Sequence, residues 1–95
     1  MKRIERRDKL KIYGELLSIL YAEKNEEKIV LTRVQVQMKV PFDRLKIYIS
    51  ELNDLGLIED KTYLKLTEKG KQYLEEYGKI IDFMKRMGII YRGQK

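Results

Sequence analysis

The sequence contains no cysteine, no histidine and no tryptophan, and it has a single proline. Without cysteine or histidine, the chain has no disulfide, no thiol nucleophile, no histidine general base and none of the usual zinc ligands apart from carboxylates. Its 95 residues are enough for one domain with one core. We therefore expect a small protein that binds no metal and no cofactor.

Long apolar segments are also absent. The first residues, Met1-Lys-Arg-Ile-Glu-Arg-Arg, lack the apolar stretch of a signal peptide, and no apolar run approaches the roughly 20 residues of a membrane span. We expect no membrane partner and a location in the cytoplasm.

Catalytic groups are scarce as well. The carboxylates of Glu26-Glu27, Glu59-Asp60 and Glu75-Glu76 are adjacent in sequence, and adjacent side chains on a helix or a strand diverge. The six glycines are scattered, so they form no phosphate-binding loop. The sequence therefore predicts that the protein is not an enzyme.

Positive charge exceeds negative charge, with 21 Lys and Arg against 15 Asp and Glu and a net charge of +6. A basic balance in a small domain favours a polyanionic partner. The excess is concentrated in residues 2–11, and Arg3, Arg6 and Arg7 in this basic N-terminal arm are candidate phosphate contacts. The alternative is that these cations are only the solvated side of a first helix turn.

Apolar spacing predicts a helix from Asp8 to Glu23, which ends in the polar stretch 23–28. Residues 29–40 are ambiguous, because Val34, Val36, Met38 and Val40 alternate as in a strand. Thr32 and Gln35, however, have the spacing of a helix capping box. We divide the segment into a strand over 29–31 and a helix over 33–39.

Pro41 suits the start of the next helix, and Gly56 suits its left-handed C-terminal cap. Residues 57–66 contain two short apolar runs around Lys61-Thr62, which predicts a β-hairpin with a very small turn. Thr67 caps a long last helix with apolar residues in a coiled-coil register. This stripe consists of Tyr73, Tyr77, Ile80, Met84, Met87 and Tyr91, flanked by Ile81.

This order of elements is that of a winged helix-turn-helix domain. The segments Leu52-Asn-Asp-Leu-Gly-Leu-Ile-Glu59 and Leu66-Thr-Glu-Lys-Gly70 resemble the signature of archaeal winged-helix regulators. They are similar also to small archaeal chromatin proteins, whose last helix forms a dimeric antiparallel coiled coil. The resemblance covers about residues 8–90. It implies a mainly α fold with a small β-hairpin and a long C-terminal dimerisation helix, duplex DNA as the partner, and association with the nucleoid.

The helix that begins at Pro41 is the predicted DNA reader. If Leu45, Ile49 and Leu52 face inward, helical geometry turns other side chains toward the major groove. The predicted DNA contacts on this helix are Arg44, Lys46, Ile47 and Ser50, where Ile47 suits a thymine methyl group. Arg33 and Lys39 from the preceding segment, and Lys61 and Lys65 from the wing, complete the set.

The stripe of the last helix continues beyond what one small domain can cover, so we expect a homodimer, of either parallel or antiparallel sense. The predicted organisation is a winged helix-turn-helix domain with its basic arm over residues 1–66, a dimerisation helix over 67–91 and a mobile tail over 92–95. The predicted function is that of a transcriptional regulator or an architectural chromatin protein. The alternative, favoured by Asp43 and Asp54 on the groove side, is a protein-interaction module.

Overall fold

The computed structural model describes residues 2–89, with side chains from Lys9 onward. This part of the chain contains four α-helices: α1 (Lys2–Ala22), α2 (Leu31–Met38), α3 (Phe42–Asp54) and α4 (Glu68–Arg86). The predicted mainly helical fold is confirmed. Tyr91 and the tail 92–95 lie outside the described residues.

The first helix begins at Lys2 rather than at the predicted Asp8, so the backbone of the basic arm continues α1. Its leucines at three- and four-residue spacing enter one core together with side chains of α2, α3 and the segment 57–66. The buried residues of this core are Leu16, Leu17, Leu20, Ile29, Val34, Leu45, Tyr48, Ile49, Leu52, Leu57, Ile58, Leu64 and Leu66.

The predicted strand over 29–31 is not formed. Ile29 and Val30 are irregular, and α2 already begins at Leu31, with Val30 as its N-cap. A strand needs a neighbour for its backbone groups, and the one isolated bridge found among residues 2–89 pairs Ile58 with Leu66 instead. Ile29 contributes only its buried side chain, which anchors the chain before α2.

The predicted helix over 33–39 exists with shifted bounds, and its capping box is not used. The N-cap Val30 has no side-chain cap, and Thr32 lies inside the helix. Burial follows the helical period, because Val34 is fully buried, Met38 packs against the core and Val36 is 71% exposed.

Helix α3 ends in a Schellman motif, as Gly56 predicted. The amide of Leu57 donates to Leu52 O at 2.9 Å, and that of Gly56 donates to Asn53 O at 3.0 Å. Gly56 has φ +78°, a conformation that glycine adopts without strain. Because Leu52 and Leu57 are both buried, this turn also aims the following segment back at the core.

Residues 57–66, the wing, form an open loop rather than the predicted pair of strands. A single antiparallel bridge, Ile58 with Leu66, closes it. At its tip, Asp60 Oδ1 accepts the backbone N–H groups of Thr62 and Tyr63, so these groups are not available for cross-strand pairing. Leu64 has φ +62°, which interrupts the extended backbone that a hairpin requires.

Helix α4 is capped as predicted, since Thr67 Oγ1 accepts from Gly70 N at 3.0 Å. It packs against α1 and against the wing through one close approach each, and only glycine permits these approaches. A Cβ at Gly14 of α1 would lie 2.6 Å from the Tyr77 ring, and a Cβ at Gly70 would lie 2.1 Å from Leu57 O. These two glycines set the position of α4 on the rest of the domain.

Candidate nucleic-acid interface

A three-residue turn joins α2 to α3. Lys39, at its start, adopts a left-handed conformation (φ 60°, ψ 44°) and donates its N–H to Gln35 O at 2.8 Å, which ends α2. Pro41, at its end, is the extended N-cap of α3, with φ −62°. Two helices joined by so short a turn form a helix-turn-helix unit, in which the second helix is the one that enters a DNA groove.

The inward face of α3 is apolar and buried. It consists of Leu45, Tyr48, Ile49 and Leu52. The opposite side carries the residues that we call the outward stripe, Asp43, Ile47, Ser50 and Asp54, which share one face because they are four, three and four residues apart. Ile47 is 52% exposed, and Ser50 is half-buried.

The two cations of α3 flank this stripe on opposite sides. Arg44 and Lys46 are both exposed. The Lys46 ammonium lies 5.7 Å from the centre of the Phe42 ring, an exposed cation–π contact that holds it near the N-terminal end of the helix. From these positions the two cations can reach phosphates on either side of a groove that α3 occupies.

The predicted contacts in α2 and in the turn are exposed but differ in their partners. Arg33 Nη1 lies 2.9 Å from Glu23 Oε1, in an ion pair that ties α2 to the end of α1. The Arg33 side chain is 54% exposed, so the pair is worth at most about 1 kcal/mol and a phosphate can compete for it. Lys39 is exposed in the turn itself.

The two wing lysines have different roles. Lys61 is exposed at the tip of the wing. Lys65 instead donates to the backbone carbonyls of Lys24, at 2.8 Å, and Glu26, at 2.5 Å. These bonds tie the wing to the loop between α1 and α2, a role that the sequence does not reveal because the partners are main-chain atoms distant in sequence.

The side chains of Arg3, Arg6 and Arg7 lie outside the described residues. The first described cation of the arm, Lys9, is 3.3 Å from Glu51 Oε1 of α3. The same carboxylate accepts a hydrogen bond from the hydroxyl of Tyr13. Burial, and then the neighbouring Glu51, raise the pKa of Tyr13 well above the usual tyrosine value. This cluster fastens α1 to the flank of α3 that also carries Arg44, two helical turns away, and the sequence analysis did not identify it.

The apolar stripe of α4 has two parts, one packed on α1 of the same chain and one that extends beyond this contact. Its first two residues pack on α1 of the same chain: the Tyr73 hydroxyl donates to Leu10 O at 2.9 Å, and Tyr77 is buried against Gly14. The remaining residues extend beyond this contact. Ile80 and Met87 are exposed, and Ile81 and Met84 are half-buried. Phe83, 50% exposed and three residues after Ile80, widens this surface and was not predicted.

Neither a metal site nor a membrane span is found in the part of the chain that the structure describes. Among the side chains described from Lys9 to Ile89, no three acidic groups lie close enough together to hold a metal ion. No helix in residues 2–89 combines the length and apolar character that a bilayer crossing needs.

The profile of the winged helix-turn-helix family matches residues 6–85, from within α1 to the last turn of α4. The chain therefore belongs to the winged helix-turn-helix family, a class typical of DNA-binding regulators. No curated protein and no solved structure matches the chain closely enough to add to this assignment.

Proposed function

We propose that this protein binds duplex DNA as a homodimer, with α3 in the major groove, and acts as a transcriptional regulator or an architectural chromatin protein of archaeal type. The observation that carries the DNA part is the pair of exposed cations, Arg44 and Lys46, on a helix whose other face is fully buried. The net charge of +6 supports a phosphate-bearing partner. Such a protein acts in the cytoplasm, on the nucleoid.

The DNA part is tested by fluorescence anisotropy with a labelled duplex over a range of salt concentrations. Affinity should fall steeply with salt, with a log–log slope of roughly 0.9 per phosphate contact. The double variant Arg44→Ala/Lys46→Ala should weaken binding and reduce the slope, because two contacts are lost. The matched control is Lys71→Ala/Lys79→Ala, which removes the same charge from exposed positions of α4.

Equal losses in the two double variants would mean that affinity follows net charge alone and that α3 is not in the groove. No binding at low salt would remove DNA as the partner and leave the protein-interaction module as the function to pursue.

The homodimer is proposed from the exposed part of the α4 stripe. Phe83 and Met87 are 50% and 58% exposed, and together with Ile80 they form an apolar surface next to the domain's own packing. Contiguous exposed apolar surface is typical of interaction sites. A second copy of α4 offers the same surface in return, as a two-fold dimer interface requires.

Light scattering tests this part. The wild type should have about twice the chain mass of 11.5 kDa, whereas Ile80→Lys/Met84→Lys should be monomeric because it places unpaired charges in the interface. Asp82→Lys is the matched control, since it makes the same change in net charge on the exposed opposite side of α4. A monomeric wild type at micromolar concentration would contradict the homodimer.

A further inference from the structure

The outward stripe of α3 contains no cation. Its charged members, Asp43 and Asp54, are exposed, and none of the ion pairs among the described side chains involves either carboxylate. Between them lies Ile47, which is 52% exposed. The face that α3 would present to base edges is therefore acidic and apolar, while the cations lie to its sides.

This combination restricts which bases the stripe can contact favourably. An ionised carboxylate only accepts hydrogen bonds. In the major groove, guanine presents two acceptors, whereas the donors are the amino groups of adenine and cytosine. A methyl group for an apolar side chain is found only on thymine. An amino donor and a methyl group therefore occur together in an A·T pair and not in a G·C pair.

Asp43 is well placed on α3 to accept a hydrogen bond from a base amino group. It lies in the first turn of α3, where the helix dipole favours a negative charge. The N-terminal residues of a recognition helix are also those that contact base edges. Ile47 follows one helical turn later on the same side. The two side chains thus point at neighbouring positions along a groove.

We propose that α3 selects A·T pairs through the major groove, with Asp43 accepting from an adenine amino group and Ile47 packing on a thymine methyl group. The inference rests on the proposed function, because it requires α3 to lie in the groove. Arg44 and Lys46 supply the phosphate contacts that offset the acidic stripe, and they carry no base preference.

Four short duplexes of equal length distinguish major-groove readout of A·T pairs from minor-groove readout and from binding without base preference. They contain A·T pairs, G·C pairs, A·U pairs, or inosine·C pairs. Uracil removes only the thymine methyl group. Inosine removes the minor-groove amino group of guanine and leaves the major-groove edge of the pair unchanged. Competition anisotropy should rank A·T first, with A·U about fourfold weaker for each methyl contact, and inosine·C as weak as G·C.

Two variants assign the contacts to residues. Ile47→Ala should bind the A·T and A·U duplexes equally, because the group that packs on the methyl is gone. Asp43→Asn should tolerate G·C pairs better, since an amide also donates to guanine acceptors. Leu55→Ala is the control, because Leu55 is 46% exposed at the end of the same helix but lies off the outward stripe. It should retain the wild-type ranking.

An inosine·C duplex that binds as tightly as A·T would overturn the proposal, since the preference would then come from the minor groove. Equal binding of all four duplexes would overturn it as well, while leaving DNA binding itself intact. Absence of binding to any duplex would instead remove the proposed function on which the inference rests.

Discussion

Replacing Gly70 by alanine should destabilise the protein, although alanine is the better helix former. The added Cβ would lie 2.1 Å from the carbonyl oxygen of Leu57, whereas ordinary contact begins near 3.4 Å. The wing backbone and α4 must therefore separate by about 1.3 Å. The Leu57 carbonyl cannot move alone, because it accepts from Thr67 N at 3.1 Å and its residue belongs to the turn that ends α3.

The magnitude follows from two opposing terms. Replacing a glycine inside a helix by alanine raises the unfolding free energy by up to about 1 kcal/mol. Adding an atom to a contact that is already close-packed lowers it by about 1–3 kcal/mol or more. Because the added Cβ meets a backbone atom rather than a flexible side chain, the overpacking cost lies at the upper end of its range. After the gain in helix propensity is subtracted, the variant should lose about 2 kcal/mol of unfolding free energy. For a domain of this size, that loss lowers Tm by roughly 8–16 °C.

Gly78→Ala is the matched control in the same helix. No atom lies within 4 Å of its added Cβ, so only the propensity gain remains, about 0.5–1 kcal/mol of stabilisation. Thermal and urea unfolding, followed by circular dichroism, measure both variants. If Gly70→Ala is as stable as Gly78→Ala, the close approach of α4 to the wing does not exist as described.

Further predictions concern single side chains. Lys39→Gly should stabilise the domain by about 1 kcal/mol in urea unfolding, because glycine adopts the left-handed turn without strain, and unchanged stability would argue against that turn. Tyr13 should ionise at higher pH than free tyrosine in an ultraviolet titration, and Glu51→Gln should reduce the difference. Since the folded pKa is raised, this contribution to stability is complete below about pH 10 and is lost as pH rises above it. Lys65→Met should remove the bonds that tie the wing to the loop after α1, which costs about 1–2 kcal/mol and accelerates amide hydrogen exchange in both segments, whereas unchanged exchange would show that the tie is not formed.

Some of the candidate interface follows from local sequence alone. Leu45, Ile49 and Leu52 recur at helical spacing, so Arg44, Lys46 and Ile47 had to face away from the core, and they do. Lys65 could not be understood in this way. It has the charge of a phosphate contact, but its ammonium group binds main-chain carbonyls about forty positions earlier, which no local pattern encodes.

The sequence by itself determined both ends of α3 and the start of α4. The start of α3 after Pro41, its end at a left-handed Gly56 and the Thr67 cap of α4 depend on steric and hydrogen-bonding properties within a few residues. Only the tertiary structure decided that residues 29–31 are not a strand and that Tyr77 packs on Gly14 of its own chain. Both depend on which distant segment is adjacent: a strand needs a neighbour to pair with, and a tyrosine ring needs a glycine opposite it.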